Sequence, residues 1–244
     1  MSIAEKLTTI AENEQKVFDA GYSKASKDEW DRFTDSNNRR FYEFAFARSG
    51  YEYIRPPYKL ISTSRSIQMF EYATKLKTVE KDYFDLSGIA TNNTASNTSS
   101  MYYTFRGCSS LEVLEDVGLP PNAYHYTFLN CKKLHTVEVM RCTKAATYTS
   151  PFYGCTSLTD IKFVGEIGNN FSLADCPNVS YESLTAPEEE VNGEMRKGLK
   201  YALYDFVGNG ETTTRTLTLH PTVKAKLTKE DEAFITGKGW TIAS

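Results

Sequence analysis

Five cysteines (Cys108, Cys131, Cys142, Cys155, Cys176) and three histidines (His125, His135, His220) are the side chains through which this chain could do nucleophilic, redox or metal chemistry. A cysteine nucleophile needs a base beside it, and Cys108, followed by Ser109 and Ser110, is the position that invites this reading. A zinc site needs paired ligands at short spacing, and neither C-x-x-C nor H-E-x-x-H occurs. The odd cysteine count argues against a disulfide framework. P-loop, dinucleotide-binding and G-x-S-x-G patterns are missing, and no carboxylate pair can be placed for glycoside hydrolysis. The histidines are scattered. The expectation is therefore a non-enzyme with no catalytic residues, no metal ligands and no cofactor.

Register explains four of the cysteines better than reactivity does. Phe105-Arg-Gly-Cys108-Ser-Ser-Leu111-Glu-Val-Leu114 returns as Phe128-Leu-Asn-Cys131-Lys-Lys-Leu134-His-Thr-Val137 and as Phe152-Tyr-Gly-Cys155-Thr-Ser-Leu158-Thr-Asp-Ile161. The pattern is F-x-x-C-x-x-L-x-x-[LVI], with copies starting 23 and 24 residues apart. A degenerate copy precedes them (Phe70, Ala73, Leu76, Val79) and a fading one follows (Leu173, Cys176, Val179). A period of this length marks units that complete their apolar core by stacking. Cys108, Cys131, Cys155 and Cys176 then form a reduced, buried ladder of small hydrophobes rather than a set of nucleophiles.

If Leu158, Ile161 and Phe163 point inward on a strand, Asp160, Lys162 and Val164 point outward. The same offsets place Thr136, Glu138 and Met140, then Val113, Glu115 and Val117, then Thr78, Glu80 and Asp82, on that face. Glu80, Glu115 and Glu138 would stack as an acidic ladder ending at Lys162. The binding-face candidates are thus Thr78, Glu80, Val113, Glu115, Thr136, Glu138, Asp160 and Lys162. Such a face could take a cationic or polyhydroxylated ligand, or could be a solvated surface kept charged against edge pairing.

The flanks differ. Residues 2–20 read as a helix with Ile3, Leu7, Ile10 and Val17 on one seam, suited either to an oligomer, with trimers favoured by Leu at a and Ile at d, or to packing on its own domain. Ser26 and Glu29 form a capping box before Trp30 and Phe33. The aromatic stretch 41–58 suits a cap over the first repeat's open edge. Thr91 to Ser100 is a polar insertion, expected as a surface loop. After the repeats, 194–206 reads as a helix, Thr214–Leu219 as a strand, Thr228 as the start of a helix closing at Gly237, and Trp240 as the start of a last strand.

Composition narrows the class. With 28 Lys plus Arg against 31 Asp plus Glu the chain carries −3, so no basic footprint points to nucleic acid. No run of 18 apolar residues suggests membrane insertion, and the start lacks the basic head and apolar stretch of a secretory signal. The 16 Tyr and 14 Phe suit broad, rigid contact surfaces or an aromatic core.

The sequences TFRGCSSLEVL and PFYGCTSLTDIKF resemble the BspA-like leucine-rich repeats, also called the Treponema pallidum type. The resemblance covers about residues 67–184. It departs from the family's pattern at Ala73, at the insertion, and at Lys81 and Asp116, where a second strand hydrophobe is expected. It implies an α/β fold: a short irregular leucine-rich-repeat solenoid with an N-terminal helical segment and a mixed helix/strand C-terminal cap. The implied organisation is an N-terminal helix over 1–25, a helical and aromatic cap over 26–66, the solenoid over 67–184 and a C-terminal cap over 185–244. The two ends are similar to those of leucine-rich-repeat proteins of phages and prophages. That similarity implies a virion protein made in the host cytoplasm, a tail fibre or tail-associated component, with a protein or glycan on a host cell surface and other virion proteins as partners, and a homo-oligomeric state. A bacterial cell-surface adhesin of the BspA type, extracellular or on the cell surface, is the alternative.

Overall fold

Each F-x-x-C-x-x-L copy folds as two consecutive tight turns. The N–H of Cys108, Cys131 and Cys155 donates to the carbonyl of its own Phe105, Phe128 or Phe152 at 3.0–3.1 Å, and the N–H of Leu111, Leu134 and Leu158 donates back to the cysteine carbonyl at 3.1–3.2 Å. The cysteine thiol then reaches into the previous copy. Cys108 Sγ lies 2.9 Å from the Phe70 carbonyl, Cys131 Sγ 3.0 Å from that of Phe105, and Cys155 Sγ 3.0 Å from that of Phe128. One phenylalanine carbonyl therefore accepts from its own turn and from the next copy, which uses both lone pairs of a buried acceptor. A three-residue spacing between Phe and Cys is what brings both donors to it.

The turns demand left-handed backbone at fixed places. The second residue after each phenylalanine has positive φ (Tyr72 +56°, Gly107 +72°, Asn130 +62°, Gly154 +74°), as does the second residue before it (Gln68 +54°, Tyr103 +56°, Tyr126 +49°, Ser150 +41°). Glycine and asparagine take this conformation at least cost, which accounts for Gly107, Asn130 and Gly154. Gly107 answers a second constraint: a Cβ there would sit 2.4 Å from Cδ1 of Tyr72.

Copies in register place like residues on like. The rings of Phe70, Phe105, Phe128 and Phe152 stack nearly parallel, with centroids 5.1–5.4 Å apart and interplanar angles of 2–6°. That spacing follows the separation of about 4.8 Å between neighbouring strands, with the rings offset. Phe171, turned 71° to Phe152, ends the row.

The computed structural model of the protein describes residues 34–35, 40–41, 45–56, 59–61, 68–89, 101–121 and 124–244. The expected N-terminal helix over 2–20, the Ser26–Glu29 capping box and the polar insertion over 91–100 lie outside the described residues. The elements are β1 (Thr34–Asp35), β2 (Arg40–Phe41), β3 (Leu60–Ile61), β4 (Thr78–Val79), β5 (Phe84–Asp85), β6 (Val113–Leu114), β7 (Thr136–Cys142), β8 (Asp160–Gly165), β9 (Phe171–Leu173), α1 (Tyr181–Thr185), β10 (Glu189–Val191), β11 (Glu194–Arg196), α2 (Leu199–Ala202), β12 (Arg215–Leu219), α3 (Pro221–Lys224), α4 (Lys229–Gly237) and β13 (Trp240–Ala243). The protein is thus α/β, with mostly parallel strands. The repeat strands form one parallel sheet in the order β4-β6-β7-β8, pairing Val79, Leu114, Val137 and Ile161 in a single buried row.

The stack begins earlier than the motif shows. Phe46 lies over Phe70 at 5.4 Å and 14°, its N–H donates to Met69, that of Arg48 donates to Glu71, and Lys77 donates to the Glu52 carbonyl. These are the bonds that join the later copies. The segment Phe46-Ala-Arg-Ser49-Gly-Tyr51-Glu-Tyr-Ile54 is therefore another copy, within the stretch expected to cap the edge. Serine in the cysteine slot, tyrosine in the leucine slot and one missing residue hide it from the pattern.

Two expected outward residues are buried. Val137 pairs with Ile161 but Met140 pairs with Phe163, so β7 carries one extra residue and bulges between them. A one-residue slip reverses the faces of everything beyond it, and Met140 is fully buried instead of outward. Val117 is buried too, where the chain bends past β6 and its carbonyl accepts from Leu86.

The C-terminal region closes the stack at three places. The Ser180 N–H and the Ser183 hydroxyl, from the start of α1, donate to Thr159. The β10–β11 hairpin docks on β8 through reciprocal 2.9 Å bonds between Phe163 and Lys197. Strand β9 pairs with β12, which pairs with β13, all parallel. The helix expected over 194–206 is instead β11 followed by the single-turn α2. Asn192 and Gly193, both left-handed, make the two-residue hairpin turn that an Asn-Gly pair favours, and Gly198 opens α2. Helix α4 starts at its Thr228 cap, with a reciprocal capping box to Asp231, as expected.

Replacing Gly107 by alanine is expected to destabilise the protein by about 1–3 kcal/mol through left-handed strain plus overlap with Tyr72. Gly193→Ala, left-handed but with open space at its Cβ, should cost only about 1 kcal/mol. Denaturant titration of both variants separates the two contributions.

Candidate functional site

The candidate cysteines are part of the core. Cys108, Cys131, Cys155 and Cys176, with Cys142 at the end of β7, are all free and buried. Burial pushes every one of these thiols upward, Cys142 and Cys176 to about 12. A thiol held protonated near neutral pH and bonded to a backbone carbonyl is an inert packing group. Cys108, beside its two serines, takes the same place as its copies.

The strand face places the eight binding candidates side by side. Thr78, Val113, Thr136 and Asp160 stand in register across β4, β6, β7 and β8. Glu80, Glu115, Glu138 and Lys162 follow two residues on. Their charges are occupied. Glu80 is clasped by Arg55, whose Nη2 lies 2.7 Å from Oε1 and whose Nε reaches both oxygens. Glu115 accepts the backbone N–H of Lys81 at 3.0 Å, and Glu138 accepts that of Asp116 at 3.0 Å. Glu115 and Glu138 thus each complete the neighbouring copy's backbone where its short strand has ended, and so reduce mutual repulsion along the row. Lys162 bridges Glu182 of α1 and Glu189 of β10 at 3.6 and 3.8 Å.

The open part of this face is a cleft between the repeat strands and the β10–β11 hairpin. It encloses about 480 Å³ and is lined by Lys59, Lys81, Asp82, Asp116, Glu138, Val191, Asn192 and Arg196. At its edge Asp116 receives two guanidinium groups, Arg141 at 2.7 Å and Arg196 at 2.9 Å, and Arg141 also forks onto Glu194. Burial opposes ionisation of Asp116, but the forked Arg141, the Gly118 N–H and the Arg196 charge prevail and hold its carboxyl below the usual range. Arg141 is shifted the other way for the matching reason: burial disfavours its charge, and Glu194 and Asp116 secure it. Arg196 Nε is buried without a protein partner among the described residues.

Asp116, singled out by the sequence only as a polar residue in an apolar slot, is therefore the centre of the cluster. Glu194, Arg196 and Arg141 carried no sequence signal; only the hairpin's docking brings 194 and 196 to 116 and 141. Among the described residues three cations and three anions line the cleft, so these offer donors and acceptors with no net charge. That suits hydroxyl-rich ligands rather than strongly charged ones. A carboxyl stabilised in its ionised form cannot serve as a general acid near neutral pH, so Asp116 is equipped to bind and orient.

The histidines are apart from this cleft. His135 is exposed beside the Thr136 hydroxyl at 2.9 Å, His220 caps α3, and His125 is buried on the turn side with burial lowering its pKa. Among the described residues no helix is long and apolar enough to cross a membrane. Comparison with family models, with curated proteins and with solved structures found no match for this chain.

Native protein near neutral pH is expected to leave all five thiols unlabelled by a thiol reagent, and unfolding should expose all five. The folded state keeps these thiols protonated while those of the unfolded chain ionise near pH 8.5. Above about that pH the unfolded state therefore holds fewer protons, and stability should fall as pH rises. Asp116→Asn should cost about 1–3 kcal/mol, a value discounted for partial exposure. Because the folded carboxyl titrates below the unfolded one, that difference should be complete above about pH 4 and fade as pH drops toward the folded value, in parallel urea titrations.

Proposed function

We propose that this chain is a non-enzymatic recognition component of a phage particle, a tail-fibre or tail-associated protein whose repeats form a short leucine-rich-repeat solenoid of the BspA-like type. The observation that carries the recognition reading is the charge-balanced cleft over the strand face, built from the repeats on one side and the β10–β11 hairpin on the other. Stacked repeats give a stiff scaffold, and solenoids commonly bind on the surface their strands line. The similarity of both chain ends to phage-encoded repeat proteins supports the virion setting, and the reduced cysteines suit a protein made in a cytoplasm.

The mechanism is multivalent attachment. Each cleft holds a host-surface group weakly, and an oligomer held through residues 1–25 raises the effective concentration of the remaining sites once one is engaged. The partners in this reading are a glycan or protein of the host surface and neighbouring virion proteins.

Fractionation tests the setting. After phage induction of a producing culture, the chain is expected to co-purify with tailed particles, as read by mass spectrometry of gradient-purified material. Recovery only from the surface of uninduced cells would reject the virion role in favour of a bacterial adhesin.

A further inference from the structure

From Pro187 to Lys197 the chain leaves the core: no residue of this stretch is buried, whereas Ala186, Gly198 and Leu199 on either side are. The β10–β11 hairpin lies within it. A lone two-stranded hairpin is marginally stable in water, so this one depends on its docking. Its base is pinned. The Gly198 N–H donates to the Ala186 carbonyl at 2.9 Å, beside the reciprocal Phe163–Lys197 bonds. A Cβ at Gly198 would lie 2.5 Å from the Ala186 nitrogen, so the two ends of the excursion meet at a pinch that needs glycine.

Beyond the base, the described contacts that hold the hairpin down are between charges. Arg141 Nε donates to Glu194 Oε1 at 2.9 Å and its Nη2 to Oε2, Arg196 Nη2 lies 2.9 Å from Asp116, and Lys162 Nζ lies 3.8 Å from Glu189. The hairpin buries no apolar side chain: Val191 is half-buried along the cleft and Met195 is 43% exposed. Closure also leaves Arg196 Nε buried with no protein partner among the described residues. A buried N–H without an acceptor disfavours the closed form, and water satisfies it once the hairpin lifts. A segment with few buried apolar contacts belongs to the low-stability end of a fold.

We infer that the β10–β11 hairpin is a lid, which swings on the Ala186–Gly198 pinch while the stack stays folded. Opening withdraws Val191, Asn192 and Arg196 from the wall of the cleft. It leaves the Asp116–Arg141 fork, with bonds of 2.7 and 3.2 Å, standing on the strand face. It also frees the edge of the Arg141 guanidinium that Glu194 occupies in the closed form. Oxygens of a ligand can then take those two donors, so Glu194 acts as an internal competitor. This rests on the recognition reading above for the role of the cleft, and gives that cleft a gate.

Hydrogen–deuterium exchange of the full chain tests the lid, followed residue by residue by NMR across a urea series below the unfolding transition. The hydrogen-bonded amides of Glu189–Arg196 are expected to exchange at least about 100-fold faster than those of Leu217 and Leu219, at rates that urea barely changes. Glu194→Gln, which keeps the shape of the side chain but removes its charge, should quicken the hairpin amides together by about fivefold or more and leave β12 alone. Sodium chloride at about 1 M should move the parent chain in the same direction. Hairpin amides as slow as those of β12, with the same urea dependence, would mean that the hairpin opens only when the protein unfolds, and would overturn the inference. Hairpin amides that are fast but indifferent to Glu194→Gln would report fraying of β10 from β11 rather than lifting, and also overturn it. So would a variant that quickens β12 equally, since the contact would then hold the stack. No ligand enters this experiment, so a fixed hairpin removes the lid alone, and absence from particles removes the virion setting alone.

Discussion

The carbonyl oxygens of Phe70, Phe105 and Phe128 each accept two hydrogens, one from their own turn and one from the cysteine thiol of the next copy, and the described architecture follows from that shared acceptor. It closes the turn locally and fixes the neighbour's register at the same atom. With register set, the phenylalanine rings must stack at the strand repeat distance, the leucines must enter the same layer, and the short parallel strands must pair residue for residue. Few single bonds in the protein are worth more than about 1 kcal/mol. Their effect here is cumulative, because each copy's apolar face is buried only if the next copy arrives in the same register.

The same economy leaves little room for reactive chemistry on the motif. A thiol spent on a buried carbonyl is protonated and shielded, and each copy repeats the arrangement. Departures from the motif are therefore where other demands show. Serine stands in for cysteine beside Phe46, at the start of the described stack. Asp116 replaces an apolar strand residue and gathers two arginines. One departure coincides with an end of the described stack and the other with a charged cluster.

Acidic residues on the strand face follow the same logic. Glu115 and Glu138 do not form a free negative ladder, because each accepts a backbone N–H that the two-residue strand of the adjacent copy leaves unpaired. Short strands need such side-chain acceptors, and a carboxylate two residues past the strand reaches the right place. What remains open to a ligand is the space where the hairpin stands off from the strands, and its walls come from segments up to 137 residues apart, from Lys59 to Arg196.

The sequence by itself determined the repeat, its period, the buried cysteine row and the apolar layer, because these depend on local turns and on like residues meeting like. It determined the Thr228 helix cap for the same local reason. It did not disclose the copy at Phe46, whose substitutions break the pattern while its backbone keeps the bonds. Nor did it disclose the inward turn of Met140, since a single bulge residue reverses the faces beyond it without altering composition. The Asn192-Gly193 hairpin was legible, but the helical spacing of Leu199, Leu203 and Phe206 concealed it. Only the tertiary structure decided the charged cleft, because the hairpin's pairing with β8 brings Glu194 and Arg196 to Asp116 and Arg141. Local sequence rules do not reach across such separations; shared backbone bonds between distant segments do.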